Sequence, residues 1–463
     1  MNSKKKPMKK KKDWQTKAKK RQIMKKDKGI IGVVFIVRHF FKHLNEWIEE
    51  MTDPRHPSYT TYTQSDYVYM ALLKNICGVK TMHSMEETFN HENCIRTLSI
   101  FSGHEELEEM PHSDSLNNYL RELSPKCLAG LRKKMVKSLL RMKSFYGNRL
   151  LGQYWRVILD GTGLYYFKEK HCENCLVKNY RTDDGKKRKV YYHKVLEAKL
   201  VLSKKIVISL DTEFIENESE DVDKQDCEIN AAKRLLERLK IDYPRLPICI
   251  QADNLYETRP MMELCRKYNF HYIFTHKGTR QKNLDESYEL YIEGGYDKVL
   301  ENIGQEKGVG RYVNQVGKTL DEIETANIFE YQYERQDDEG NRKTTKIQWL
   351  TDLELSAKNL LEMIGAGRGR WKIENEGFNN QKNGIYDIEH LNSRNANAMK
   401  NHYLLTQVAD IVMQLYLAWN PVLNEMKQTI KNTSHTLRES FHGLLVTQED
   451  VNLISRYTTV YLE

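Results

Sequence analysis

No run of apolar residues in this 463-residue chain approaches the ~20 needed to cross a bilayer. The stretch GIIGVVFIV at 29 to 37 spans only nine residues, ends in Arg38-His39 and lacks a small-residue cleavage site, which argues against a secretory signal despite the basic run before it. The eight cysteines show no dense spacing, so reduced thiols are expected rather than a disulfide framework, and with them a soluble, cytoplasmic protein. One cluster, HCENC at 171 to 175, has the two-residue spacing of a zinc knuckle, but no second Cys-x-x-Cys exists. A turn with ordinary thiols is expected there, and a metal site only if folding brings His171, His193 or Cys227 to the pair. There is no internal repeat, and the low-complexity sequence is confined to a lysine-rich arm.

What is present is enough apolar sequence, 40% of residues, to build a real core, and an uneven distribution of charge. Residues 1 to 28 hold fourteen Lys or Arg against Asp13 and Asp27, a balance of +12, while the whole chain carries +9, which leaves the remainder near −3. The basicity therefore belongs to the arm. A block of like charge with few apolar residues is expected to be disordered when free; it serves either as a solubilising tail or as a neutraliser of nucleic-acid phosphates.

Residues 30 to 150 read as helical. SDYVYMALLKNICGV (65 to 79) repeats apolar residues at three- and four-residue spacing, and MPHSDSLNNYL (110 to 120) opens with proline and a capping cluster. The Lys/Arg-rich LRKKMVKSLLRMK (131 to 143) fits a helix-turn-helix as well as a plain bundle. From 154 the period changes. YWRVILDGTGLYYF reads as a strand ending at an acid and a Gly-Thr-Gly turn, and KVYYHKVLEAKLVL and KKIVISLDTEF as two more. A helix (227 to 241), a strand (246 to 253), a helix (259 to 269) and a strand (271 to 277) follow. The order β-β-β-α-β-α-β predicts a mixed α/β sheet, antiparallel on one side and parallel on the other. Between 284 and 352 the alternation of Phe329, Tyr331 and Tyr333, the Asp338-Glu339-Gly340-Asn341 turn and the return through Ile347 and Trp349 predict a β-rich insertion containing a hairpin. Helices resume to 420.

Two acids fall where strands are expected to end: Asp160 after VIL and Asp253 after ICIQA. A carboxylate abutting an apolar run is desolvated unless it caps a turn, is paired or binds a cation, and open sheets bind ligands beyond the carboxyl ends of their strands. A third acid is available in GRWKIENEGFNNQKN (369 to 383). On a helix Arg370, Glu374, Phe378 and Lys382 recur at steps of four, so one face carries base, acid, ring and base, either as a salt-bridge ladder or as a site. Lys277, Arg280 and Lys282 follow the fifth strand, as a phosphate patch or a solvated loop. Glu197, Asp211, Glu213 and Glu216 are competing acids.

LDGTGL, QADNLY and RWKIENEGFNNQKN, in this order of elements, resemble the ribonuclease H-like catalytic domain of the DDE transposases of bacterial insertion sequences, over roughly residues 110 to 420. The resemblance implies Asp160, Asp253 and Glu374 as a metal-binding triad for two Mg²⁺ ions, with Mn²⁺ as a substitute, and Arg370 and Lys382 as DNA contacts. The family's usual tyrosine before the arginine is replaced by Gly367, and its lysine seven residues after the glutamate by Gln381, with Lys382 one further on. It further implies cleavage and strand transfer at insertion-sequence ends, with terminal inverted repeats and target DNA as partners, a homodimer in the DNA complex, no membrane association and a nucleoid location.

The expected organisation is a basic arm (1 to 28), a helical N-terminal DNA-binding domain (30 to 150), a catalytic domain (151 to 283 and 353 to 420) interrupted by the β-rich insertion (284 to 352), and a C-terminal helical segment (421 to 463). A metal-dependent nuclease without strand transfer and a catalytically retired repressor are the alternatives.

Overall fold

The computed structural model describes residues 29–105, 107–169, 172–181, 185–217, 225–317, 326–336, 341–371, 378–420 and 428–457. The basic arm and Glu374 both lie outside these residues.

The N-terminal part is helical: α1 (Ile30–Phe40), α2 (Leu44–Glu49), α3 (Gln64–Ile76), α4 (Met82–Phe89), α5 (Glu92–Ser102), α6 (Ser113–Glu122) and α7 (Pro125–Leu140). GIIGVVFIV forms most of α1, and its apolar character is explained by burial, with Ile30, Val34 and Ile36 fully inside. Thr63 and Asp66 form a reciprocal capping box that starts α3. Proline in the first turn starts α7, which buries Leu128, Leu131, Met135, Val136 and Leu139. The Lys/Arg-rich helix thus has a core-facing side, and even Arg132 is only 1% exposed.

The strands are β1 (Trp155–Phe167), β2 (Leu176–Arg181), β3 (Lys187–Val201) and β4 (Val207–Ile215). After them come α8 (Glu228–Asp242), β5 (Ile248–Ala252), α9 (Arg259–Lys267) and β6 (His271–His276). β1, β3 and β4 pair antiparallel, whereas β5 joins β1 in parallel and β6 joins β5 in parallel. The expected mixed sheet is present with one additional strand. β2 pairs with the outer half of β3, and because β1 occupies one edge of β3, β2 and β4 lie end to end along the other.

The segment after β6 holds α10 (Lys282–Glu293), β7 (Lys298–Ile303), β8 (Gly308–Val316), β9 (Ala326–Gln336) and β10 (Arg342–Thr351). The β9–β10 hairpin is in register from Asn327↔Thr351 to Gln336↔Arg342. β10 pairs antiparallel with β6, so these strands prolong the same ten-stranded sheet in the order β6-β10-β9-β8-β7. α11 (Leu360–Arg368) packs on them, and Leu360, Met363 and Ile364 share a second apolar cluster with Phe329, Tyr331, Trp349, Cys249 and Ile273.

α12 (Ala396–Trp419), capped by Asn395, is buried nearly all round because α1, α3, α6, α7 and β4 pack against it. It joins the N-terminal helices and the sheet in one apolar core, to which α13 (Ile430–Gly443) and α14 (Gln448–Tyr457) add Leu437, Phe441 and Val451. Among the described residues no helix is long and apolar enough to cross a membrane.

Candidate active site

The parallel ladder of β1 and β5 runs from Trp155↔Ile248 to Ile158↔Gln251. The same register carried two residues further sets Asp160 opposite Asp253, on neighbouring strands where the spacing is about 4.8 Å. Asp253 follows the last residue of β5, as expected, and its Oδ1 accepts the Leu255 amide at 2.8 Å, closing the turn into α9. Asp160 does not end its strand. β1 continues through Gly161-Thr162-Gly163 to Phe167, because β3 goes on pairing along its other edge after β5 has stopped. The glycines that read as a turn instead allow close approach: a Cβ on Gly161 would stand 2.3 Å from the Glu228 carboxylate.

Glu228, the first residue of α8, was not recognised in the sequence as a site residue. The Tyr256 hydroxyl donates to its Oε1 at 2.6 Å, and Lys194 pairs with its other oxygen. Its only local signal, an acid in the first turn of a helix, is the ordinary pattern that favours the helix dipole. Asp160, Asp253 and Glu228 therefore form an electronegative group. Burial pushes the Asp160 carboxyl from its usual 3.8 up to about 6, with the charges of Glu228 and Asp253 adding to the rise and Arg370 opposing it. The Arg370 guanidinium stands 3.8 Å from Asp160 Oδ2, and among the described residues its buried Nε has no hydrogen-bond partner.

Arg370, Asp253 and Lys277 line one cleft of about 670 Å³, together with His276, Trp349, Arg368 and Trp371. Lys277 is exposed at the end of β6. Before it, burial opposes a charge on His276, but Glu257 and Asp285 on its two ring nitrogens outweigh this and raise its pKa. Arg280 is exposed beyond Lys277 and is not among the lining residues. Lys382 is outside this group too, paired with Glu389 at 2.8 Å. Its neighbour Gln381 is fully buried against Gln407 and Asp410, which gives that position a packing role. Gly367 explains the absent tyrosine: a Cβ there would stand 2.5 Å from the Trp349 ring, which fills the space.

Glu374 lies outside the described residues. The chain on either side is anchored near β1: Arg370 faces Asp160, and Phe378 packs with Ile158, Val201 and Val207. The competing acids are held by protein partners. Glu197 is fully buried and accepts from Ser209, Thr212 and Tyr403, while Asp211 faces Arg132 and Arg238. Glu213 faces Arg234 and Arg238, and Glu216 faces Lys400.

No family model matches this sequence, and no curated protein matches it. Among solved structures it is similar to a piggyBac transposase in a synaptic complex with hairpin DNA. The identity is 10% and the TM-score 0.41, over 92% of this chain and 84% of that one. At that level the two chains share only a general likeness.

Proposed function

We propose that this protein is a DDE-type DNA transposase of the insertion-sequence kind. In this reading the core of the sheet is ribonuclease H-like, and Asp160, Asp253 and Glu374 are its metal-binding acids. The observation that carries the proposal is the register that sets Asp160 beside Asp253 just beyond the end of the parallel β1–β5 ladder, with Arg370 facing Asp160. Carboxylates buried and crowded in this way favour a hard divalent cation, because it offsets the desolvation, and the added repulsion, that raise Asp160. Asp160, Asp253 and Glu374 would hold two Mg²⁺ ions, which would supply Lewis acidity for an in-line displacement at phosphorus. Arg370, whose buried Nε has no partner among the described residues, holds a phosphate oxygen next to the acids, and Lys277 and Arg368 extend the positive lining along the cleft. Trp371, 59% exposed at the same cleft, offers a face for an unpaired base. Glu228, pinned by Tyr256 and Lys194, fixes the local field at Asp160. Water attacks a phosphodiester at each element end and its P–O3′ bond breaks, leaving a 5′-phosphate and a free 3′-hydroxyl; that hydroxyl then attacks a target phosphodiester, joins to its phosphorus and releases the target's own 3′-hydroxyl, and joining two ends calls for a dimer on DNA.

The test uses labelled DNA carrying the gene's own flanking ends, in Mg²⁺, with nicking and joining scored for wild type, Asp253→Ala, Glu374→Gln and Glu228→Gln. Wild-type joining, with losses on the order of 10²–10³ or more for the first two variants, is expected. Cleavage without joining would assign a nuclease instead, and binding without cleavage a repressor. A Glu374→Gln enzyme that keeps its activity while Glu228→Gln loses it would transfer the third acid to Glu228.

A further inference from the structure

Away from the acids, the turn between β1 and β2 brings two thiols beside His193 of β3. Leu176 pairs with Tyr192 in the β2–β3 hairpin, and the same register carried back one residue sets Cys175 opposite His193. Cys172 Sγ is 3.1 Å from Cys175 Sγ, and His193 Nε2 is 3.3 Å from the first sulfur and 3.6 Å from the second. Among the described residues this is the group of His, Cys, Asp and Glu side chains whose ligand atoms all lie within 4.8 Å of one another. Zinc binds thiolate at ~2.3 Å and imidazole at ~2.0–2.1 Å, so its tetrahedral ligands stand roughly 3.6–3.8 Å apart. The three donors already occupy a slightly contracted face of such a tetrahedron. A disulfide would need its sulfurs at ~2.05 Å and would not account for the imidazole set against both of them.

The surroundings fit a structural ion. Cys175 and His193 are buried, and the knuckle is tied to the end of β4 by Asn217, whose Nδ2 donates to the Cys175 carbonyl at 3.1 Å. Beyond Leu176 the hairpin buries almost nothing: Lys178, Arg181, Lys187, Arg188 and Lys189 are all exposed. A hairpin with so little apolar surface needs another restraint at its root. We propose that Cys172, Cys175 and His193 bind one zinc ion that fixes the root of this basic hairpin. Two thiolates and an imidazole suit zinc better than Mg²⁺, whose preference is for oxygen. The fourth position is left to water. This site is independent of the proposed activity.

The experiment is metal analysis of the full chain purified without chelator. About one zinc per chain is expected in wild type and in Cys227→Ser, falling more than about tenfold in Cys172→Ser and His193→Ala. Cobalt(II) exchanged into the wild type should give the visible bands of a tetrahedral site with thiolate charge transfer, a readout that stands even where a variant folds poorly. A metal-free wild type whose two thiols resist alkylation until reduced would overturn the proposal, as would zinc retained in both ligand variants.

Discussion

Replacing Asp160 by asparagine should make the metal-free protein more stable while abolishing the proposed DNA cleavage. The carboxyl titrates near 6 in the fold against 3.8 without it, so the folded chain pays for the charge once the pH exceeds the higher value. The sign follows from linkage: the folded state holds this proton more tightly, and stability is lost as pH rises from about 4 through 6 and then levels off. The difference corresponds to about 3 kcal/mol above pH 7 and roughly half of that at pH 5, as upper figures for a side chain 23% exposed. Asparagine keeps the shape and removes the charge. Denaturation in EDTA should show Asp160→Asn gaining at pH 7.5, by more than at pH 5, and Mg²⁺ should stabilise wild type but not the variant. Equal stability of the two proteins at pH 7.5, or a gain of the same size at both pH values, would refute the reasoning.

Three other outcomes are expected. Arg132→Met should destabilise by about 1.5–3 kcal/mol, seen as an earlier urea transition, because Asp211 loses a buried charged partner that bonds it at 2.8 Å while keeping Arg238. Gly367→Ala should cost about 1–3 kcal/mol by forcing a methyl against Trp349, and a thermal melt would register it. Trp371→Ala should leave the melt within about 0.5 kcal/mol of wild type, since the ring is largely exposed. The same change should weaken binding of single-stranded DNA by about 1–3 kcal/mol in a titration, through the lost stacking face.

The strands that proved easy to find are those with apolar runs, such as VIL before Asp160 and ICIQA before Asp253, since burial on both faces leaves an unmistakable composition. β2 escaped because LVKNYR buries little beyond Leu176 and is held by backbone pairing, which leaves no pattern in side chains. Asp160 was placed near its observed position for a partly mistaken reason: the Gly-Thr-Gly sequence is strand, and what ends at the acid is the pairing with β5. Glu228 was missed, and His193 could be named only beside His171 and Cys227, for a common cause. Each reaches its neighbours across a strand pairing or a helix start, and the spacing of residues along the chain says nothing about distance across a sheet.

α11 delivers Arg370 from the smaller apolar cluster, on strands that follow both aspartates by dozens of residues. The site is thus a seam between an early and a late part of the polypeptide. During synthesis Asp160 and Asp253 emerge and can pair before β10 docks on β6 and gives α11 its seat. An unfinished chain would carry the two acids without their arginine, so the seam is complete only once β10 has closed the sheet.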